Sequence, residues 1–152
     1  MNQTLPSSAL VLIFSALLAV TNGRAGEINH ARFVAQQAAL PALEGPDAFT
    51  LRESWLKGTL SPGEAKLVPQ QLFKRNSYQF WFAVPDSDAE VLLNIYDGLG
   101  RLMETDTVKV PGKSNVISIV VTPKSTGIYY LRLSVSKETE KAQEWALIYA
   151  YK

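Results

Sequence analysis

From Tyr78 to Tyr151 the side chains alternate with a period of two in five successive runs. That period belongs to a β-strand with two unlike faces. Tyr78, Phe80, Phe82 and Val84 share one face of the first run, with Trp81 out of phase. Val91, Leu93 and Ile95 oppose Leu92, Asn94 and Tyr96, and Ile117, Ile119 and Val121 oppose Val116, Ser118 and Val120. Tyr129, Leu131, Leu133 and Val135 alternate with Tyr130, Arg132 and Ser134. Trp145, Leu147, Tyr149 and Tyr151 alternate with Ala146, Ile148 and Ala150. β-Branched and aromatic residues dominate, as strands prefer. A shorter strand is expected around Trp55 to Leu60.

Turn residues separate the runs: Ser61-Pro62-Gly63, Pro85-Asp86-Ser87-Asp88, Asp97-Gly98-Leu99-Gly100, Pro111-Gly112-Lys113 and Pro123 to Gly127. The glycines and Asp97 suit tight turns, and Asp97 to Gly100 is expected to close a hairpin. Gly127, just before a strand, is expected to need φ > 0 or a close backbone approach. Six to eight short strands without βαβ alternation predict an all-β antiparallel sandwich of jelly-roll type.

The N-terminal part has another texture. Ala9 to Val20 is an apolar run too short to span a bilayer, followed by Gly23-Arg24-Ala25. This is the pattern of a secretory signal peptide cut after Ala25. The chain then divides into a signal peptide at 1–25, a lead segment at 26–48 and a β-sandwich domain at 49–152. In the lead, Phe33, Val34, Gln37 and Leu40 recur at near-helical spacing, predicting a short helix or a tail ended by Pro41 and Gly45-Pro46. Secretion or a periplasmic location follows, with no membrane insertion once the signal is removed.

Composition narrows the chemistry. The chain has no cysteine and one histidine, His30, placed in the lead segment. Disulfides, thiolate catalysis and a multi-histidine metal site are excluded. Removing residues 1–25 takes away one charged side chain, Arg24, and leaves basic and acidic residues in equal number. A neutral chain has no basic field for nucleic acid.

Three pieces carry a resemblance. Gly58-Thr59-Leu60-Ser61-Pro62-Gly63-Glu64, Val91 to Gly100 with its Tyr96-Asp97-x-x-Gly100 turn, and Thr126-Gly127-Ile128-Tyr129-Tyr130-Leu131-Arg132-Leu133 stand in order. The stretch from Trp55 to Lys152 resembles the bacterial pre-peptidase C-terminal domain and related secreted jelly-roll modules. The resemblance implies a non-catalytic module found beside secreted enzymes or alone. Related domains begin the central strand with an Asp-x-Asp pattern, whereas Asp86 and Asp88 fall in the preceding turn.

Three sets of residues are candidates for a site. Asp86, Asp88 and Glu90 put a carboxylate on every second residue, and hard cations take several loop oxygens, so Ca²⁺ is the candidate metal. The set lacks the glycine and distant glutamate of an EF-hand loop; solvated turn residues are the plainer reading. Asp97, Glu104 and Asp106 are a second acidic set, and paired carboxylates serve glycoside hydrolysis only across a cleft. Among the aromatics Trp55, Trp81, Trp145, Tyr130 and Tyr151, Trp81 and Tyr130 are the candidate ligand contacts, with core packing the competing role for Trp81. The thin acid–base inventory argues against an enzyme. The expected function is a non-catalytic binding or structural module at the cell envelope or outside the cell. Its partner is an extracytoplasmic protein or a polysaccharide. The alternative is a carbohydrate-binding domain using exposed aromatics.

Overall fold

The computed structural model describes residues 28–136 and 138–152. The expected signal peptide lies outside these residues. Helix α1 (His30–Ala39) and a 3₁₀ turn (Leu40–Ala42) precede the strands. These are β1 (Thr50–Leu51), β2 (Leu56–Leu60), β3 (Ala65–Leu72), β4 (Tyr78–Ala83), β5 (Val91–Tyr96), β6 (Asp106–Lys109), β7 (Val116–Val121), β8 (Gly127–Val135) and β9 (Gln143–Tyr151).

One sheet runs β1-β9-β4-β7-β6, with β2 also paired to β9 beside β1. The other runs β3-β8-β5. All these pairings are antiparallel. The two sheets pack face to face as a β-sandwich. The alternation seen in the sequence supplies the filling. Phe80 and Phe82 of β4, Ile119 of β7 and Leu147 of β9 meet Leu131 and Leu133 of β8 and Ile95 of β5, all essentially buried. Each such side chain withdrawn from water contributes about 1.5–3 kcal/mol.

The six-stranded sheet is covered on its outer face too. Trp81 and Ala83 of β4, Val116 of β7, and Ile148 and Ala150 of β9 form a second apolar cluster with Ala35 and Ala39 of α1. The helix presents Ala31, Ala35 and Ala39, all fully buried, to the sheet. Small side chains let the helix backbone come close to the bulky indole below it. Asn29 caps α1 by accepting from the Arg32 amide at 2.7 Å, and its own amide donates to Glu144 at 2.6 Å. The Arg32 guanidinium sits 4.7 Å from the centre of the Trp55 ring, a cation–π contact that pins the helix start. The helix expected from the spacing is present, with Val34 of that set packed against the cluster. Phe33 and Leu40 are exposed, and the alanines, which carry little hydrophobic signal, make the contact.

Three further differences from expectation have local causes. Strand β3, Ala65-Lys66-Leu67-Val68-Pro69-Gln70-Gln71-Leu72, lies outside the runs read in the sequence; it contains a proline and lacks clean alternation. It is an edge strand paired with β8 alone, where a missing N–H is tolerated. Asp97 to Gly100 does reverse the chain, with Asp97 N–H bonded to Arg101 O and Met103 N–H to Ile95 O, but the returning arm is too short to form a second strand. A single bridge joins Tyr96 to Leu102, and the chain then crosses to the other sheet as β6. Gly127 is the first residue of β8, opposite Leu72. Its φ lies outside the left-handed region, and a Cβ built there meets nothing within 4 Å. Left-handed glycines instead include Gly63 (φ 73°), Gly100 (φ 79°) and Gly112 (φ 72°). Gly63 and Gly112 follow prolines in turns closed by Glu64 N–H to Ser61 O and Lys113 N–H to Val110 O.

Candidate functional site: a tyrosine-lined cleft at the sandwich edge

The residues singled out in the sequence fall in four different places. Trp81 points away from Phe80 and Phe82, as its phase requires, but α1 covers it and only 1% of its surface is exposed. It is a packing residue, and the expectation of a ligand contact there is overturned. Tyr130 remains half-open, 37% exposed, on the outer face of the three-stranded sheet between Pro69 and Tyr96. Leu67, Leu92 and Ile128 are also exposed on that face. Asp86, Asp88 and Glu90 do not converge. Asp86 accepts from the Asp88 amide at 3.0 Å within its own turn, and the Glu90 carbonyl accepts from Ser136 N–H. Among the described residues no group of three or more His, Cys, Asp or Glu side chains gathers as metal ligands.

Asp97 serves its turn. Oδ1 accepts from the Leu99 and Arg101 amides, each at 2.9 Å, and Oδ2 pairs with Arg101 Nε at 2.7 Å. The Arg101 amide, foremost, holds the Asp97 carboxyl below its usual pKa, with the guanidinium and the Leu99 amide adding to it against partial desolvation. Gly98 approaches the Ile128 carbonyl, and a Cβ there would stand 3.3 Å from that oxygen. Asp97, Glu104 and Asp106 border a cleft of about 750 Å³. Its walls are mostly turn and strand-end residues, with Asp97 already committed to its turn. His30 is exposed at the start of α1.

A smaller cleft holds more concentrated chemistry. It measures about 320 Å³ and is lined by Arg52, Gln70, Gln71, Phe73, Asn76, Tyr78, Tyr149 and Tyr151. It lies where the end of β3 in one sheet faces the end of β9 and the start of β4 in the other. Tyr149 and Tyr151 continue the inward-facing row of Trp145 and Leu147, and Tyr78 begins the corresponding row of β4. At the end of each row the sandwich opens, and a ring with a polar tip suits a place that is apolar below and wet above. Tyr149 stacks on Phe80 with ring centres 5.4 Å apart. Gln70 spans the two sheets and donates to the Tyr149 hydroxyl at 3.3 Å. The Tyr78 hydroxyl accepts from the Phe73 amide at 3.0 Å and from Asn76 Nδ2 at 3.2 Å.

Arg52 stands at the rim. Its amide donates to the Tyr149 carbonyl at 3.0 Å, just beyond β1. Its guanidinium carbon lies 5.7 Å from the Tyr151 ring centre. The Tyr149 hydroxyl, then that of Tyr151, push the arginine pKa above its ordinary value, so this group carries its charge throughout. Phe73 offers an exposed ring, 54% accessible. It begins a tight turn in which Arg75 adopts φ 75°, a costly conformation for a residue with a Cβ.

Sequence reasoning missed this cleft because its tyrosines share the face and period of the core. The available signal was three hydroxyl-bearing rings at the terminal positions of otherwise aliphatic and aromatic rows. No family model matches the chain, and no curated protein matches it. Among the described residues no helix is long and apolar enough to cross a membrane.

Proposed function

We infer that the chain is an exported, non-catalytic binding module, and that its ligand is a saccharide held in the tyrosine-lined cleft. The observation that carries this is the lining itself. Ring faces (Phe73, Tyr151), amides (Gln70, Gln71, Asn76) and phenol hydroxyls meet in one hollow of about 320 Å³. Sugars present apolar C–H faces and a rim of hydroxyls, and that mixture of surfaces matches both. The apolar run Ala9 to Val20 and the resemblance of Trp55–Lys152 to secreted pre-peptidase C-terminal modules support a secreted or periplasmic location and a binding role. No resident cofactor is part of this reading. The polysaccharide thus moves ahead of the protein partner, and the site moves from Trp81 to the cleft.

The test is retention of the purified full chain on a panel of insoluble polysaccharides and peptidoglycan, beside Phe73→Ala. Phe73 is exposed, so the variant is expected to keep its melting temperature. Retention of the wild type is expected, with binding about two- to tenfold weaker in the variant, the worth of one ring contact. No retention on any matrix overturns the saccharide reading and turns attention to a protein partner on the open face around Tyr130.

A further inference from the structure

We propose that the cleft selects an acidic saccharide, and that Arg52 receives the carboxylate of a uronic acid unit. The inference rests on the saccharide reading above and adds the charge of the ligand. Arg52 is exposed at the rim, yet it pairs with no carboxylate; among the described residues the one ion pair joins Arg101 to Asp97. Its main chain is fixed by the bond to the Tyr149 carbonyl, and the Tyr151 ring flanks its guanidinium. The guanidinium is thus exposed beside the tyrosines at the rim, within reach of a ligand in the cleft. A planar guanidinium in that state matches a carboxylate with two parallel hydrogen bonds.

The surroundings reinforce the sign. The lining contains no Asp or Glu. Two more exposed cations, Lys74 and Arg75, occupy the turn between the lining residues Phe73 and Asn76. The nearest acid in sequence, Glu53, borders the adjoining hollow with Ser54 and Thr50 and makes no ion pair with Arg52. A neutral sugar would use the rings and amides and leave this positive rim unanswered.

Calorimetric titration of the full chain tests it with three probes: an oligogalacturonate, its methyl ester, and a polyglutamate peptide. The acid is expected to bind at least tenfold more tightly than the ester, in line with a charged hydrogen-bonded pair. Arg52→Gln should bring the acid's affinity down to that of the ester, and Arg52→Lys should restore part of the preference. Phe73→Ala should weaken acid and ester alike. Equal binding of acid and ester, or a preference that survives Arg52→Gln, overturns the uronate proposal and leaves the saccharide reading standing. Binding of polyglutamate as tight as the uronate overturns both, since charge alone would then be recognised. Failure of all three probes overturns the uronate proposal, and the polysaccharide panel separately decides the saccharide reading.

Discussion

At position 58 the chain has no room for a side-chain carbon. A Cβ on Gly58 would stand 2.9 Å from three atoms of the Trp145 indole, its cross-strand partner in β9. Trp145 is buried among the residues between the sheets and cannot swing aside freely. Gly58→Ala is therefore expected to destabilise the protein by about 1–3 kcal/mol, the usual cost of overpacking. Gly127 is the contrasting case, with ordinary dihedrals and open space around it. Gly127→Val should be neutral or stabilise β8 by up to about 1 kcal/mol, since glycine is a poor strand residue. Urea midpoints of the two variants check both, and a reversed order would contradict the packing described. Neither role was legible from the residues alone. A glycine's neighbours across a sheet depend on register, and register is set by the whole fold.

The helix–sheet contact shows how alternation can be read correctly and still mislead. The period places Trp81 opposite Phe80 and Phe82, and the structure agrees. The inference from that phase to an exposed ring failed because a second layer covers the outer face. One signal was present: Phe80-Trp81-Phe82-Ala83-Val84 is an unbroken apolar run, which belongs to a strand covered on both sides, and β4 is buried at every position. The alanine stripe of α1 gave no comparable signal, because alanine is common on every helix face. Trp81→Ala should cost about 3–5 kcal/mol by emptying the space under the helix. Phe33→Ala, on the exposed side of α1, should stay within about 0.5 kcal/mol of the wild type. Denaturant unfolding measures both, and similar costs would mean that the helix is seated on its other face.

Across the whole molecule, the sandwich was readable and its asymmetry was not. In the six-stranded sheet β4, β7 and β9 are covered on two sides, by α1 and by the other sheet, while β6 is exposed along its length and β3, β8 and β5 keep one face open. The layers share β4, β7 and β9, so α1 has no core of its own. Unfolding is expected to be a single transition, with helix and strand signals in circular dichroism coinciding with tryptophan fluorescence. The fluorescence samples both layers, Trp145 between the sheets and Trp81 with Trp55 beneath and beside α1. An early loss of helix signal would show that α1 is held more loosely than its buried alanines imply. The cleft has its own place in this arrangement. One wall depends on β1, two residues paired to the end of β9, followed by the single Arg52 amide bond to Tyr149. So short a strand can peel away while the rest of the sandwich stays closed, since local opening costs far less than global unfolding. Hydrogen exchange is expected to be faster at the Arg52 amide than at the amides of β4 and β9 in the core. A ligand of the proposed kind, bridging Arg52 to the tyrosines, would tie that short segment to β9 and slow its opening.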